Sequence, residues 1–389
     1  MSGASLTLRA YNVLFGDAVL LTLSEPGAKA RHMLVDLGNA LAGQPGQDSV
    51  FEPVLRDIVA RTGGILDLYV MTHEHMDHVQ GPLYGARKLG LPLQARRVWM
   101  TASSAPDYYD RFALARKQKN LALTALAAAD DLVRAVGADA MPAGLMGLAE
   151  LNNPRASRDC VDFIAAMGMD AVPPRYVFRK DETATPEADA PFADATFRIL
   201  APEEDTAIYY RPLGPAVAGV SAGMGAVAGA YGAAPPPGVA AGAFFDLLDF
   251  RAGEMADNLR SIDKAANNSS VVIEVEWRGW RLLLAGDAEE RSWEIMRRHG
   301  LLRPVHFLKV SHHGSHNGSP AEEIDLVLPH APLDDRPRYA VVSTAVGAYS
   351  GVPDSATLAL IATRATLLDT RDVPPGAAVE VVFPDPDLT

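Results

Sequence analysis

The chain of 389 residues has a single cysteine, Cys160, and fewer basic than acidic residues. One cysteine excludes an intrachain disulfide, and a thiolate metal site would need other ligands as well. The 35 basic and 48 acidic residues give a formal net charge of −13, which argues against a general nucleic-acid-binding surface. These shortages favour a protein of the reducing cytoplasm, with Cys160 as a small buried residue.

The sequence also has few segments that a membrane would accept. Its start, MSGASLTLRAYNV, lacks the basic head and apolar stretch of a secretory signal. The one long uncharged tract, residues 216–245, consists mainly of alanine and glycine interrupted by three prolines, and small residues drive membrane insertion weakly. We therefore expect no membrane-spanning segment.

Hydrophobic residues alternate between strand and helix patterns along most of the chain. SLTLRAYNV, DAVLLTL and HMLVDLG read as strands, and DSVFEPVLRDIVART reads as a helix ended by Gly63 and Gly64. A hairpin turned at Arg278–Gly279 is predicted near residue 280. This succession of predicted strands and helices predicts one α/β domain over residues 1–389. Residues 107–171 read as a helical insertion and residues 212–243 as a low-complexity loop or lid.

Three of the ten histidines fall in HEHMDH, at the end of the predicted strand ILDLYVMT. His73 and His75 are two residues apart and can face one ion from the same side of an extended chain. Asp77 and His78 follow where the chain must bend, and they can reach a second ion. Imidazole and carboxylate ligands suit zinc, and less exclusively manganese or iron. The competing interpretation is a surface loop that happens to be rich in histidine.

Two further strand ends carry candidate ligands. In LLLAGDAEE the strand stops at Gly286, so Asp287 either bridges two cations or caps the helix that follows. In LKVSHHGSHNGS the strand ends at His312 and His313, with His316 shortly after. A histidine pair at a strand end favours ligand or catalytic roles over packing. The remaining histidines (His32, His299, His306 and His330) are read as structural.

HEHMDH resembles the HxHxDH signature of the metallo-β-lactamase fold. The segment order YNVLFGDAVLL, LVDLG, THEHMDH, NNSSVVIEV, LLLAGDAEE, LKVSHHGSHNGS is similar to the soluble hydrolase domain of late-competence DNA-uptake proteins and their stand-alone relatives. The resemblance implies a four-layered αββα sandwich, interrupted here by the helical insertion. It also implies two divalent metal ions, zinc by preference, at one edge of the paired sheets.

The resemblance assigns a metal role to each residue of the signature. His73 and His75 would hold the first metal. Asp77 and His78 would hold the second, and Asp287 would bridge the two.

The resemblance also implies ligands and supports outside the signature. Either His312 or His313 would complete the second metal position, and Asp36 of LVDLG would orient a histidine ligand. Three polar residues would support the site or contact substrate, unless they form a simple turn before a strand: Asn267, Asn268 and Ser270.

The chain departs from the family pattern in its first metal position. Classical members supply a further histidine between the signature and the bridging aspartate, whereas this chain has none between His78 and His299. The first metal therefore lacks a ligand unless the second histidine of the HH pair or a carboxylate takes its place. Two further segments differ from the family pattern: VLFGDA stands in place of VGQGDA, and YSGVPDSATL stands in place of a YGHP-like segment. These differences concern the handling of substrate more than the binding of metal.

The function implied is a metal-dependent hydrolase, a phosphodiesterase or nuclease that uses a metal-bridging hydroxide. Asp77, His313 and His316 are the predicted catalytic residues, the histidines as donors to the leaving group. The charge favours a small phosphodiester or short nucleic acid. Lys309 and Arg281 are read either as anion contacts or as solvated strand residues. Two alternatives stay open: hydrolysis of a lactam, lactone or thioester, and a non-catalytic scaffold, metal-binding or metal-free, that binds a partner through the helical insertion.

Overall fold

The computed structural model describes residues 3–40, 47–136, 154–188, 191–192, 194–211, 257, 259–345 and 351–386. Within these ranges the protein is a mixed α/β fold with two large sheets and helices packed on them. The α/β class predicted from the sequence is confirmed. The described helices include none long and apolar enough to cross a membrane.

The first sheet has seven strands, antiparallel at one side and parallel at the other. Its strands, in spatial order, are Ala378–Pro384 (β15), Ser5–Tyr11 (β1), Val19–Ser24 (β2), Arg31–Val35 (β3), Leu68–Met71 (β5), Val98–Thr101 (β7) and Arg175–Val177 (β8). The strands from β15 to β3 pair antiparallel, and those from β3 to β8 pair parallel.

The second sheet has six strands and the same mixture of directions. Its strands, in spatial order, are Thr366–Asp369 (β14), Tyr339–Val342 (β13), Phe307–Lys309 (β12), Trp280–Leu284 (β11), Val272–Trp277 (β10) and Ala195–Ala201 (β9). A separate pair, Ile65–Leu66 (β4) and Gln94–Ala95 (β6), forms a two-stranded sheet.

The described helices lie between strands along the chain, singly except for three in succession between β7 and β8. They are Phe51–Thr62 (α1), Met76–Tyr84 (α2), Tyr108–Arg111 (α3), Ala113–Val136 (α4), Pro154–Ala165 (α5), residues 259–268 (α6), Glu290–Arg298 (α7), Ala321–Val327 (α8) and Ser355–Ala362 (α9). A π-helical turn, Gly85–Leu89, continues α2.

One hydrophobic core is shared by the two sheets, with Leu8 and Val70 from the first and Ile273 and Phe307 from the second. A second core joins the first sheet to helices that include α1 and α5, and a third joins the second sheet to α7, α8 and α9. Every residue of β5, β7 and β12 is buried, as expected for strands covered on both faces.

Several local predictions are confirmed, because they depended on short-range backbone chemistry. Helix α1 ends at Gly63, whose φ of 70° lies in the left-handed region and whose N–H donates to the Val59 carbonyl. The hairpin between β10 and β11 turns at Arg278 and Gly279, both with positive φ. That geometry matches the right-handed twist of paired strands.

The predicted helical insertion lies between β7 and β8, which are parallel neighbours in the first sheet. A parallel connection needs a crossover, and α3, α4 and α5 belong to it. Residues 137–153 of this segment lie outside the described residues, as does the whole predicted loop or lid at 212–243. Both segment assignments stay predictions.

Candidate metal centre

Four side chains from three distant segments converge at one place in the structure. Asp77, His78, Asp287 and His313 are all buried, and each offers a ligand atom within 4.8 Å of the others. His313 Nε2 lies 3.1 Å from Asp77 Oδ2 and 3.2 Å from Asp287 Oδ2. His78 Nε2 lies 3.2 Å from the same Asp287 oxygen. We call these four residues the central cluster.

The cluster forms where strands of both sheets end. β5 of the first sheet leads into His73 and His75, and β11 and β12 of the second sheet lead to Asp287 and His313. The Val271 N–H donates to the Thr72 carbonyl and joins the two sheets at this edge. The chain bends at Asp77 and His78 as expected, because it changes there from extended backbone at His75 to helix α2, which starts at Met76.

Gly286 allows the close approach on which the cluster depends. Its φ is 52°, and a Cβ there would lie 3.1 Å from the Cβ atoms of Thr72 and Ser270. The Asp287 N–H donates to Ser270 Oγ, which fixes the start of the turn. Helix α7 starts at Glu290 with Glu289 as its N-cap. Asp287 is therefore not the helix cap that the sequence left open.

His313 is the member of the HH pair that enters the central cluster. Its Nδ1 lies 2.9 Å from the Ser343 carbonyl oxygen, which can only accept, so Nδ1 carries the proton and Nε2 faces the carboxylates. Both His312 and His313 have left-handed φ values, 46° and 53°, a conformation whose cost non-glycine residues bear mostly at functional sites. His316 is exposed and outside the cluster, and its catalytic role stays a prediction.

Asp36 supports His78 as the sequence predicted. Its Oδ2 accepts from His78 Nδ1 at 2.8 Å and from the Thr72 hydroxyl at 2.6 Å, and its Oδ1 accepts from the Thr72 N–H. This contact holds the proton on Nδ1 and leaves His78 Nε2 for a ligand, the usual arrangement of a carboxylate behind a metal-bound histidine. Burial raises the pKa of Asp36, and the neighbouring His78 only partly opposes this.

The charges of the cluster stabilise one another when no cation is bound. Burial alone would lower the pKa of His313, but Asp287 and Asp77 outweigh it and raise that pKa to about 10. The pKa of His78 is raised in the same way. Burial would raise the pKa of Asp287, yet the two histidines hold it well below its usual range. The site thus attracts positive charge.

The cluster also keeps buried oxygen atoms without hydrogen-bond partners. Asp77 Oδ1 and Asp287 Oδ1 have none among the described residues, although an unpaired buried acceptor is costly. A bound cation would satisfy both. The donor set of two imidazoles and two carboxylates, without thiolate, fits zinc, manganese or iron.

His73 and His75 lie beside the central cluster. The His73 ring centroid is 4.2 Å from that of His78 and 4.6 Å from that of His75. His73 Nε2 is buried with no hydrogen-bond partner among the described residues. Burial, together with repulsion from His78 and His75, holds the pKa of His73 well below its usual value. The ring is therefore neutral, as a metal ligand must be.

A second group of potential ligands flanks these histidines: Asp263, Glu289 and His312, with ligand atoms within 4.8 Å of one another. Asp263 Oδ1 lies 3.8 Å from His75 Nε2. We call the three residues the flanking group. Sequence reasoning missed Asp263 and Glu289. Asp263 sits on α6 outside any motif, whereas the position of Glu289, two residues after Asp287, was a usable signal.

The polar residues predicted as supports hold α6 against the centre. Asn267 Nδ2 donates to Glu289 Oε1 at 2.8 Å and lies 3.3 Å from His312 Nε2. Asn268 accepts from the Ser292 N–H at the start of α7 and donates to the Lys264 carbonyl. The Asn267 contacts reach the flanking group, the Asn268–Ser292 contact ties α6 to α7, and the Asn268–Lys264 contact lies within α6.

Lys309 corrects a sequence-based interpretation. It was read as a solvated strand residue or an anion contact, but only 2% of it is exposed. Its Nζ lies 2.6 Å from Asp17 Oδ2, the kind of partner that a buried charge requires. The Asp17 N–H donates to the Asp77 carbonyl, so this pair supports the centre. Arg281 is half-buried and donates to the Pro304 carbonyl.

A cavity of about 600 Å³ opens beside His75. Its lining includes Glu74, Tyr109, Lys119 and Tyr210 among apolar side chains. Lys119 comes from α4 of the helical segment, lies 3.5 Å from Glu74 and faces the Tyr109 ring. The Glu74 carboxylate raises the pKa of Lys119 and keeps it charged. The cavity thus presents two cationic side chains, Lys119 and Arg158, beside the acidic Glu74 and Asp162 and several aromatic and apolar groups.

Comparison with models of known protein families gave no match, and comparison with curated protein sequences gave no significant match. The functional assignment of the chain therefore depends on the geometry of its side chains.

Proposed function

We propose that this protein is a metal-dependent hydrolase of the metallo-β-lactamase fold that cleaves a small phosphodiester in the cytoplasm. The observation that carries the proposal is the central cluster. Its buried imidazoles and carboxylates come from segments more than 200 residues apart in sequence, and two of its oxygens have no partner in the described part of the chain. Buried oxygens without a partner are costly, and a bound cation would satisfy both of them.

The arrangement of cores supports the four-layered αββα sandwich. The two sheets share one core, and each has a further core with helices on its other side. The HEHMDH segment follows β5 at the edge where both sheets end. This is the place that the family resemblance implies for a two-metal centre.

The proposed chemistry divides between the cations and the chain. Divalent cations, when bound, supply Lewis acidity and make a water nucleophilic at neutral pH. Asp36 and the Ser343 carbonyl orient His78 and His313 toward the ligand position. His313 belongs to the cluster and therefore acts as a ligand, which leaves His316 as the candidate proton donor to the leaving group.

The cavity supports a small substrate. A volume of about 600 Å³ is typical of a site for a small organic ligand. Lys119 offers one cation for a phosphate oxygen, and Tyr109 and Tyr210 offer flat surfaces for a ring substituent. The net charge of −13 opposes binding of a long polyanion.

The substrate class can be tested with a small panel. We expect protein reconstituted with zinc or manganese to hydrolyse bis-p-nitrophenyl phosphate faster than a chromogenic lactam or a thioester. Faster turnover of the lactam or thioester would favour the carbonyl-hydrolase alternative. Less than one transition-metal equivalent per chain, with melting unchanged by chelation, would favour the scaffold alternative.

Asp77→Ala and Asp287→Ala test the cluster itself. Each removes a buried carboxylate that would contact a cation, so we expect activity to fall to background and metal content to drop while far-ultraviolet circular dichroism is retained. Asp257→Asn, at an exposed residue paired with Arg260, is the matched control and should keep both. Full turnover by either cluster variant would contradict the proposal.

A further inference from the structure

We propose that the flanking group and the side-chain oxygen of Asn267 form an auxiliary site for a divalent cation of the manganese type. This site goes beyond the proposed hydrolase, because none of its ligands belongs to the central cluster or to the HEHMDH segment. A cation bound there would join α6 to the segments that follow β11 and β12.

The flanking group comes from three segments that meet at the Asn267 amide. Asp263 lies on α6, Glu289 precedes α7 and His312 follows β12, and one ligand atom of each lies within 4.8 Å of the others. Asn267 Nδ2 lies 2.8 Å from Glu289 Oε1, 3.3 Å from His312 Nε2 and 3.4 Å from Asp263 Oδ2. One buried amide is therefore in contact with every member of the group.

The Asn267 amide is poorly matched to these neighbours. Its nitrogen has two protons but faces three groups that can accept. Its Oδ1 has no hydrogen-bond partner among the residues that the structure describes, although only 1% of Asn267 is exposed, and such an unpaired acceptor is costly. A half-turn of the amide would exchange the two atoms and bring Oδ1 to the group. That arrangement repels the carboxylates unless a cation lies between them.

The hydrogen bonds around His312 leave its Nε2 for the same place. Its Nδ1 lies 3.3 Å from Glu289 Oε1, which can only accept, and 2.9 Å from Ser315 Oγ. The Ser315 oxygen also accepts from the Gly318 N–H. Nδ1 therefore carries the proton, and the lone pair of Nε2 faces Asn267, as in a histidine that is oriented for a metal ion.

Glu289 is buried without serving its own helix. It is the N-cap residue of α7, yet its side chain makes no capping hydrogen bond. The Ser292 N–H, which an N-cap side chain would satisfy, donates to Asn268 Oδ1 instead. Only 2% of Glu289 is exposed. A carboxylate at this depth is stabilised by a paired positive charge, which a divalent cation would supply.

The set of ligands favours manganese. Carboxylate and carbonyl oxygens suit magnesium, calcium and manganese, whereas imidazole suits the transition metals. Manganese belongs to both classes, so it fits two carboxylates, one amide oxygen and one imidazole. The central cluster contains a larger share of imidazole, and we expect zinc to prefer it.

The position of the auxiliary site gives its cation a structural effect. Helix α6 also carries Ile262 and Ala266, which line the cavity of about 600 Å³ beside His75. A cation that joins Asp263 and Asn267 of this helix to the start of α7 would hold that wall of the cavity in place.

The test reads the auxiliary site separately from the central cluster. Metal-free full-length Asp77→Ala keeps every ligand of the auxiliary site, and bound Mn²⁺ is counted from the loss of the electron paramagnetic resonance signal of the free ion. We expect one equivalent in Asp77→Ala and none in Asp77→Ala/Glu289→Gln. In the same background, Asn267→Leu should weaken binding by about tenfold or more. Asn267→Asp should strengthen it, since a carboxylate replaces a neutral oxygen. Asp257→Asn is the control and should change nothing.

A second measurement covers the case in which Asp77→Ala unfolds. The wild type is first loaded with zinc, and the Mn²⁺ that binds afterwards is counted with and without Glu289→Gln. An absence of bound Mn²⁺ in the parent protein, or equal binding after Glu289→Gln and Asn267→Leu, would overturn the auxiliary site and leave the proposed hydrolase standing. Mn²⁺ binding that depends on Glu289 and Asn267, in a wild type without phosphodiesterase activity, would support the auxiliary site and overturn the proposed function instead.

Discussion

At the scale of residues, the centre is built from histidines that are each fixed at one nitrogen. Asp36 holds Nδ1 of His78, and the Ser343 carbonyl holds Nδ1 of His313. The other nitrogen of each ring faces Asp287 Oδ2 at 3.2 Å. Fixing the tautomer in this way prepares both rings for a cation before it arrives.

We expect Asp36→Asn to weaken metal binding or activity by about 10–100-fold, the usual cost of losing a carboxylate behind a metal-bound histidine. The amide replaces one acceptor oxygen with a donor NH2 group, which would face either His78 Nδ1 and the Thr72 hydroxyl or the Thr72 N–H. Competition with a coloured chelator measures the affinity. Asp110→Asn, where 81% of the aspartate side chain is exposed, is the control. Equal affinity in Asp36→Asn and the wild type would mean that Asp36 has only a packing role.

Sequence reasoning selected the members of the central cluster because strand ends, histidine spacing and a turn glycine are local signals. It could not find Asp263, which belongs to no motif and reaches His75 only through the placement of α6. The Asp17–Lys309 pair was missed for a similar reason, since Asp17 lies between β1 and β2 of the first sheet and Lys309 ends β12 of the second. Long-range pairs of this kind have no signature in a single sequence.

At the scale of elements, the end of β11 is a constrained turn beside the centre. Gly286 has a positive φ, and a Cβ there would lie 3.1 Å from the Cβ atoms of Thr72 and Ser270, closer than an ordinary contact. Gly300, after α7, has a similar φ of 65°, but nothing lies within 4 Å of the place where its Cβ would be. A substitution at Gly300 therefore measures the free-energy cost of the left-handed backbone alone, whereas one at Gly286 measures that cost together with the cost of steric crowding.

We expect Gly300→Ala to cost about 1–2 kcal/mol, the penalty for a side chain in the left-handed region. Gly286→Ala should cost more and should also lower metal content, because the added Cβ pushes apart two strand ends that carry ligands. Urea unfolding and metal analysis of both variants measure the difference. Equal losses of stability, with metal content unchanged, would show that the approach at Gly286 is not tight.

Element boundaries were predictable where the chain signals them locally, as at Gly63 and the Arg278–Gly279 turn. The start of α2 is harder to read from the sequence, because the polar residues His75, Asp77 and His78 interrupt the apolar pattern of a helix there. In the structure His75 is the residue before the helix and α2 begins at Met76.

At the scale of the whole molecule, the centre joins the two sheets. Asp77 and His78 follow a strand of the first sheet, and Asp287 and His313 follow strands of the second. A cation held by both pairs would bind the folded chain and not the unfolded one. Metal binding should therefore stabilise the fold as well as the site.

We expect chelation to lower the free energy of unfolding of the metal-loaded protein by about 2.7 kcal/mol when the free metal had been held at 100 times its Kd. Asp287→Ala should lose most of this difference, because its site is broken before the chelator is added. Urea denaturation with and without chelator is the measurement. An equal shift in the wild type and in Asp287→Ala would place the stabilising metal elsewhere.

The pairing of β15 with β1 has a consequence for synthesis of the chain. The two strands run antiparallel from Ser5 opposite Pro384 to Tyr11 opposite Ala378. Until residue 384 has left the ribosome, the nascent polypeptide presents β1, which carries the core residues Leu6 and Leu8, as an open sheet edge. Open edges invite misassembly between neighbouring chains. Ribosome-bound chains that stop before residue 378 should therefore depend on chaperones, and full-length chains should be released from that dependence.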